Sequence, residues 1–110
     1  MGDIYERAKE LGNALARTGE YRALRQAIDV ADEDRELVEL RNRIRDLGAE
    51  IETAMRASRE PDEDITKAYT ELTEELQAKP GFQELISAQA NFEKVMFKVN
   101  ETVTKGIEEG

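Results

Sequence analysis

The sequence predicts an all-α protein: a long antiparallel helical hairpin with flanking shorter helices, forming an open bundle completed by dimerisation. Three observations predict it. From Asp34 to Ser58, apolar residues fall at Leu37, Leu40, Ile44, Leu47, Ile51 and Ala54, with Met55 beside the last. Steps of three and four alternate without a miss, the a/d pattern of a helix that packs lengthwise on other helices. From Pro80 to Ile107 a second rod places Phe82, Leu85, Ala88, Phe92, Met96, Val99, Val103 and Ile107 along one face. Between the rods, Glu60-Pro61 and Lys79-Pro80 are tight breaks that fold consecutive helices back on each other.

In chain order, the first helix is expected over roughly Ile4 to Arg17, with stripe Ile4, Ala8, Leu11 and Leu15. Asp3 and Glu6 stand in a capping-box-like relation at its start. Gly12 adjoins the stripe; because glycine in a helix interior costs about 1 kcal/mol against alanine, a close helix contact is expected there. Thr18-Gly19 breaks the pattern, and Thr18 is an N-cap candidate for a helix over about Glu20 to Val30. The gap is short enough to leave open whether the first two helices are continuous. The acidic run Asp29-Val-Ala-Asp32-Glu33-Asp34 is expected to open the first rod and face the positive end of its dipole. As a Ca²⁺ loop it fails, lacking the alternating oxygen ligands, the central glycine and the closing glutamate.

Within the rod, Glu39 and Arg43 are spaced as a favourable i,i+4 pair. Arg41 and Arg45 share a face, with Arg43 on another; the pair is expected to be solvated or to meet the acidic second half, with an acidic partner helix or a nucleic acid as the alternative. Gly48 beside Leu47 predicts a close crossing or a slight bend. Pro61 is expected at the first position of a helix reaching Ala78, with Asp62, Glu63 and Asp64 in its first turn and stripe Ile65, Tyr69, Leu72 and Leu76. The second rod follows from Pro80, and its last residues, 108–110, are expected to fray. Phe97 departs from the main stripe, so an exposed aromatic there would mark an interface.

The 110 residues predict a single domain, 1–110. Hydrophobic residues make up 39% and charged residues 37%, the balance of helices with one apolar stripe and a wide polar face. Net charge is −9, and every arginine lies at or before Arg59. Such a chain is repelled by phosphate backbones and anionic lipids, so neither direct nucleic-acid nor membrane binding is expected. Cysteine and histidine are absent. This removes disulfides, thiolate or imidazole metal ligands and histidine- or cysteine-based catalysis, so no metal, no cofactor and no enzyme activity are expected. The serines have no histidine to activate them, and no glycine-rich phosphate loop occurs. The charged opening MGDIYERAKEL and the lack of a long apolar run point to the cytoplasm.

Order and spacing together resemble a known family. IYERAKELGNAL is followed by a short break and GEYRALRQA, then D-E-D before RELVELRNRIRDL, the Pro61 break, and LQAKPGFQELISAQANFEKVMFKVNETV. Over Ile4 to Ile107 the chain resembles the YlbF/YmcA-like family of small helical bacterial proteins, including its cysteine-free YheA-type members. The resemblance implies a cytoplasmic protein that self-associates. It also implies a non-enzymatic adaptor that meets protein partners of an RNA-processing complex and so touches competence or biofilm development. The iron–sulfur clusters that some members hold through cysteine are not carried over. The competing expectation is a self-assembling structural module; RNA binding is disfavoured by charge. Self-association is expected through Leu37, Leu40, Ile44, Leu47, Ile51 and Met55 of the first rod and Phe92, Met96, Val99 and Val103 of the second. A partner surface is expected at Arg41, Arg43, Arg45 and Phe97.

Overall fold

The computed structural model describes residues 2–110, and among them every regular element is a helix. In order these are α1 (Gly2–Ala16), α2 (Gly19–Glu33), α3 (Arg35–Arg56), α4 (Glu63–Gln77) and α5 (Pro80–Glu109). They fall into two compact units. One runs from Asp29 to Glu84; the other holds α1, α2 through Ile28, and α5 from Leu85 onward.

The Asp29–Glu84 unit is an antiparallel hairpin of α3 and α4. Its register is fixed by contacts that run in opposite directions along the two helices. Gly48 meets the ring of Tyr69, where a Cβ would stand 3.3 Å from Cε2, and Leu37 at the other end lies against Gly81 just past α4. Of the two alternatives expected at Gly48, a close crossing or a slight bend, the contact with Tyr69 is the close crossing. Glycine there lets the Tyr69 ring lie directly on the α3 backbone. Leu37, Leu40 and Leu76 are buried, and Ala31 at the end of α2 joins the buried set. Lys79 closes the open end. Its ammonium lies 2.7 Å from the Glu36 carboxylate while its side chain is only 22% exposed. The hydrogen bond to Glu36 raises the Lys79 pKa above its ordinary 10.5, against the opposing effect of burial, with further help from the charges of Glu36, Asp34 and Glu75.

Helix ends follow local chemistry. Asp34, extended at φ −83° and ψ 101°, caps α3 by accepting from the Leu37 N–H. Thr18 caps α2: its Oγ accepts from the Tyr21 N–H at 3.1 Å and donates to the Leu15 carbonyl at 2.7 Å. The chain breaks between α1 and α2, so the two are separate helices. Several expected boundaries shift. α2 runs past Val30 to Glu33, so of the acidic run only Asp34 serves the start of α3, and α3 ends at Arg56 rather than Ser58. α1 begins at Gly2, so Asp3 sits inside its first turn and pairs with Arg7 at 3.4 Å instead of capping. α4 begins at Glu63 because the Asp62 carboxylate accepts from the Asp64 N–H and becomes the cap; Pro61 precedes the cap rather than opening the helix. α5 stays helical to Glu109.

α3 ends in a Schellman motif. The Arg59 N–H donates to the Ala54 carbonyl and the Ser58 N–H to that of Met55, with Ser58 left-handed at φ 57°. Glycine is the usual residue there, since a Cβ in this region is strained by about 1–2 kcal/mol. Ser58→Gly is expected to stabilise the chain by about 0.5–1 kcal/mol once glycine's extra entropy in the unfolded chain is subtracted. The readout is a higher urea midpoint at unchanged slope.

In the other unit, α2 meets α5 through the Tyr21 and Phe92 rings, packed edge to face with centroids 5.4 Å apart. Ala27, Leu85 and Ala88 are its buried residues. α1 buries none. No neighbour comes within 4 Å of a Cβ built on Gly12, so the close helix contact expected there is not made within the chain.

Candidate interaction surfaces

Catalysis by carboxylates or lysines depends on burial and neighbouring charge to shift their proton affinity. Among the described residues no polar or charged residue is buried, and no buried side-chain nitrogen or oxygen lacks a partner. No group of three or more acidic side chains among them converges as a metal site would need. The acids near residues 32–36 are engaged in capping and pairing: Asp34 caps α3, Asp32 faces Arg41, and Glu36 holds Lys79. What the chain presents to solvent is surface: a polar strip on α3, an open cleft at the α3–α4 turn, another of about 630 Å³ along the α5 tail lined by Phe97, Asn100, Glu101, Thr104, Lys105 and Glu108, and several uncovered apolar stripes.

The polar strip runs along α3. Val38, Arg41, Asn42 and Arg45 stand at helical spacing on one face and, with Asp32 from the end of α2, line a groove of about 350 Å³. Arg41 reaches Asp32 at 3.9 Å and Arg45 reaches Asp46 at 3.5 Å, all four side chains largely exposed. These acids come from the first half of the chain. Of the two states expected for this pair, solvated or paired with the acidic second half, the arginines take the solvated one. Exposed pairs of this kind contribute at most about 1 kcal/mol and can be exchanged for a partner's carboxylates. Arg43 stands on a different face, as its offset of two residues requires, and among the described residues it makes no ion pair with Glu39.

Where α3 turns into α4, Ile51, Ala54, Pro61 and Ile65 line an open cleft of about 600 Å³ together with Glu50, Arg59, Glu60 and Asp62. Its size is that of a ligand pocket. However, it holds no buried polar group to orient a small molecule.

The apolar candidates divide by burial. Leu37, at 0% exposure, and Leu40 belong to the hairpin's own core and present nothing to a second molecule. Ile44, Leu47 and Ile51 are half-buried, as are Phe92, Met96 and Val99. Met55 and Val103 are exposed, and Phe97 is 69% exposed on the far side of α5 from the main stripe. Sequence reasoning missed α1 as a surface. Ile4, Tyr5 and Leu11 are exposed, and Ile107 at the end of α5 is 75% exposed. The amphipathic stripe of α1 was the available signal, but a stripe reports that a cover exists, not which molecule supplies it. No described helix is long and apolar enough to cross a membrane.

Known proteins share this pattern along nearly the whole chain. A UPF0342 protein of Lactobacillus acidophilus is 25% identical over 107 residues, covering 97% of this chain and 92% of the relative. One from Limosilactobacillus reuteri is 23% identical over 107 residues, covering 97% and 87%. One from Staphylococcus saprophyticus is 22% identical over 107 residues, covering 97% and 94%. No solved structure matches the chain. Residues 4–108 match the family described as control of competence regulator ComK, YlbF/YmcA, and the chain belongs to that family.

Proposed function

We propose that the protein is a non-enzymatic regulatory adaptor of the bacterial cytoplasm that works through protein–protein contacts as a homodimer, with both compact units forming one functional domain. Its partners would belong to the machinery of RNA processing, competence or biofilm development. The observation that carries the reading is the state of its apolar stripes. α1 buries no residue, and α5 beyond Val99 is exposed throughout, yet both bear apolar residues at helical spacing. Contiguous exposed apolar surface on a soluble chain marks contact with another macromolecule. The family's link to a competence regulator supports a regulatory use of that contact. Self-association would draw on Ile44, Leu47, Ile51 and Met55 and on Phe92, Met96, Val99 and Val103. Arg41, Arg43, Arg45 and Phe97 are the proposed surface for a different partner.

The same stripes favour a second reading, a module that only assembles with itself. Affinity capture from the native cytoplasm separates the two. Reproducible recovery of RNA-processing proteins, lost in an Arg41→Glu/Arg45→Glu variant that still self-associates, supports the adaptor. Recovery of the chain alone supports the module. Retention on RNA that falls steeply with salt would overturn both in favour of nucleic-acid binding.

A further inference from the structure

We infer that the cleft at the α3–α4 turn is a docking site for a basic, amphipathic segment of another protein. The inference rests on the reading that the chain works through protein contacts, and it gives that reading a second surface, apart from the arginine strip on α3.

Shape carries the first part. Ile51 and Ala54 come from the end of α3, Pro61 from the connection and Ile65 from the first turn of α4, and all four are half-buried. Two helices and the segment that joins them thus bound one apolar floor, unlike a stripe on a single helix. The cleft of about 600 Å³ has no buried polar group to orient a small molecule. A floor of this kind suits apolar side chains presented by a polypeptide, as when an amphipathic helix lays its apolar face into a groove.

Charge carries the second part. Three carboxylates, those of Glu50, Glu60 and Asp62, line the cleft against one guanidinium, that of Arg59. Glu63 and Asp64, which also serve the first turn of α4, continue the acidic run. The Asp62 carboxylate is engaged in capping α4. Glu50 and Glu60 are exposed, and among the described residues neither joins an ion pair. Other acids of α3 are already held: Glu36 pairs with Lys79 and Glu52 with Arg56. Rim carboxylates without a partner set the sign of what docks there and steer its approach. The same sign repels nucleic acid and anionic lipid. Lysines or arginines of a docked segment would meet this rim while its apolar side chains enter the floor.

The probes are two fluorescein-labelled peptides with leucines at helical spacing, one carrying lysine and the other glutamate at the remaining positions. Fluorescence anisotropy gives their affinities, and amide shifts of the ¹⁵N-labelled full chain give the location. The lysine peptide is expected to bind and the glutamate peptide not to, with shifts concentrated in residues 49–54 and 59–65. Glu50→Lys/Glu60→Lys is expected to weaken binding about tenfold. Glu71→Lys/Glu74→Lys makes the same change in net charge at exposed positions of α4 outside the cleft, and is expected to stay within about twofold of the parent. Arg59→Glu is expected to tighten binding. Equal weakening by the two double variants, or shifts spread over the whole chain, would reduce the effect to net charge and overturn the inference. An Arg59→Glu chain that binds no more tightly than the parent would do the same. Cleft shifts that grow with protein concentration in the absence of peptide would assign the cleft to a second copy and overturn it too. None of these failures touches capture through Arg41 and Arg45, so the two readings fall separately.

Discussion

Leu37→Ala is expected to destabilise the chain by about 3 kcal/mol, within the range of about 2–5 kcal/mol typical of a buried leucine reduced to alanine. Leu37 is the one large side chain fully removed from solvent among the described residues. One of its methyl groups lies 3.4 Å from where a Cβ of Gly81 would be, so the start of α5 is seated on it. Truncation leaves a hole beside Gly81, which the short Lys79-Pro80-Gly81 connection has little slack to fill. Part of the cost is lost transfer energy and part is the cavity. For a chain of this size the expected drop in melting temperature is on the order of 10–15 °C. Thermal melts followed by circular dichroism check it. Val30→Ala, at a largely exposed position, is the control and is expected to stay within about 0.5 kcal/mol of the parent.

Phe92→Ala is the second large effect, and it falls in the other unit. Phe92 is half-buried, and its ring packs edge to face on Tyr21. The expected loss is about 2–3 kcal/mol, below that of a fully buried phenylalanine. About 1 kcal/mol of it is specific to the ring pair. A double-mutant cycle with Tyr21→Leu isolates that portion, since Tyr21→Leu keeps apolar bulk and removes the aromatic edge. Hydrogen exchange adds a spatial readout: amides of α2 near Tyr21 are expected to lose protection. A Phe92→Ala chain with unchanged stability would mean that this ring contributes to a surface rather than to the α2–α5 contact.

Much of the fold was legible because its signals are local. Asp34 and Thr18 cap the helices they precede, and Pro80 opens α5, because each acts on backbone groups within a turn of itself. Gly48 was legible as a close crossing, although the ring that lies on it, Tyr69, sits 21 residues away and could not be named from spacing. Ser58 was not legible. A left-handed residue closing a helix is usually glycine, and a serine there looks like any other exposed position until the two carbonyls of the Schellman motif select it. Pro61 and Asp62 competed for one role at the start of α4. The carboxylate, which supplies a hydrogen bond, took the cap, and the ring stayed outside.

The surfaces were half legible. Spacing showed which residues share a face, and Arg41 with Arg45 stand together as expected. It could not show how much of each face the chain covers by itself. Leu37 and Ile107 sit on comparable stripes, yet one is inaccessible and the other projects into solvent. Because the seven buried residues among those described come from α2 to α5 and none from α1, the unfinished part of the core is at the ends of the chain. The proposed self-association would cover that part.

Sedimentation equilibrium of the intact protein at a few tens of micromolar tests this most directly. The expected particle has twice the 12.5 kDa chain mass. An Ile4→Asp/Leu11→Asp double substitution is expected to shift it toward the single-chain mass while Leu37, Leu40 and Leu76 keep the hairpin folded. A parent protein that sediments at the single-chain mass under these conditions would contradict the proposed self-association.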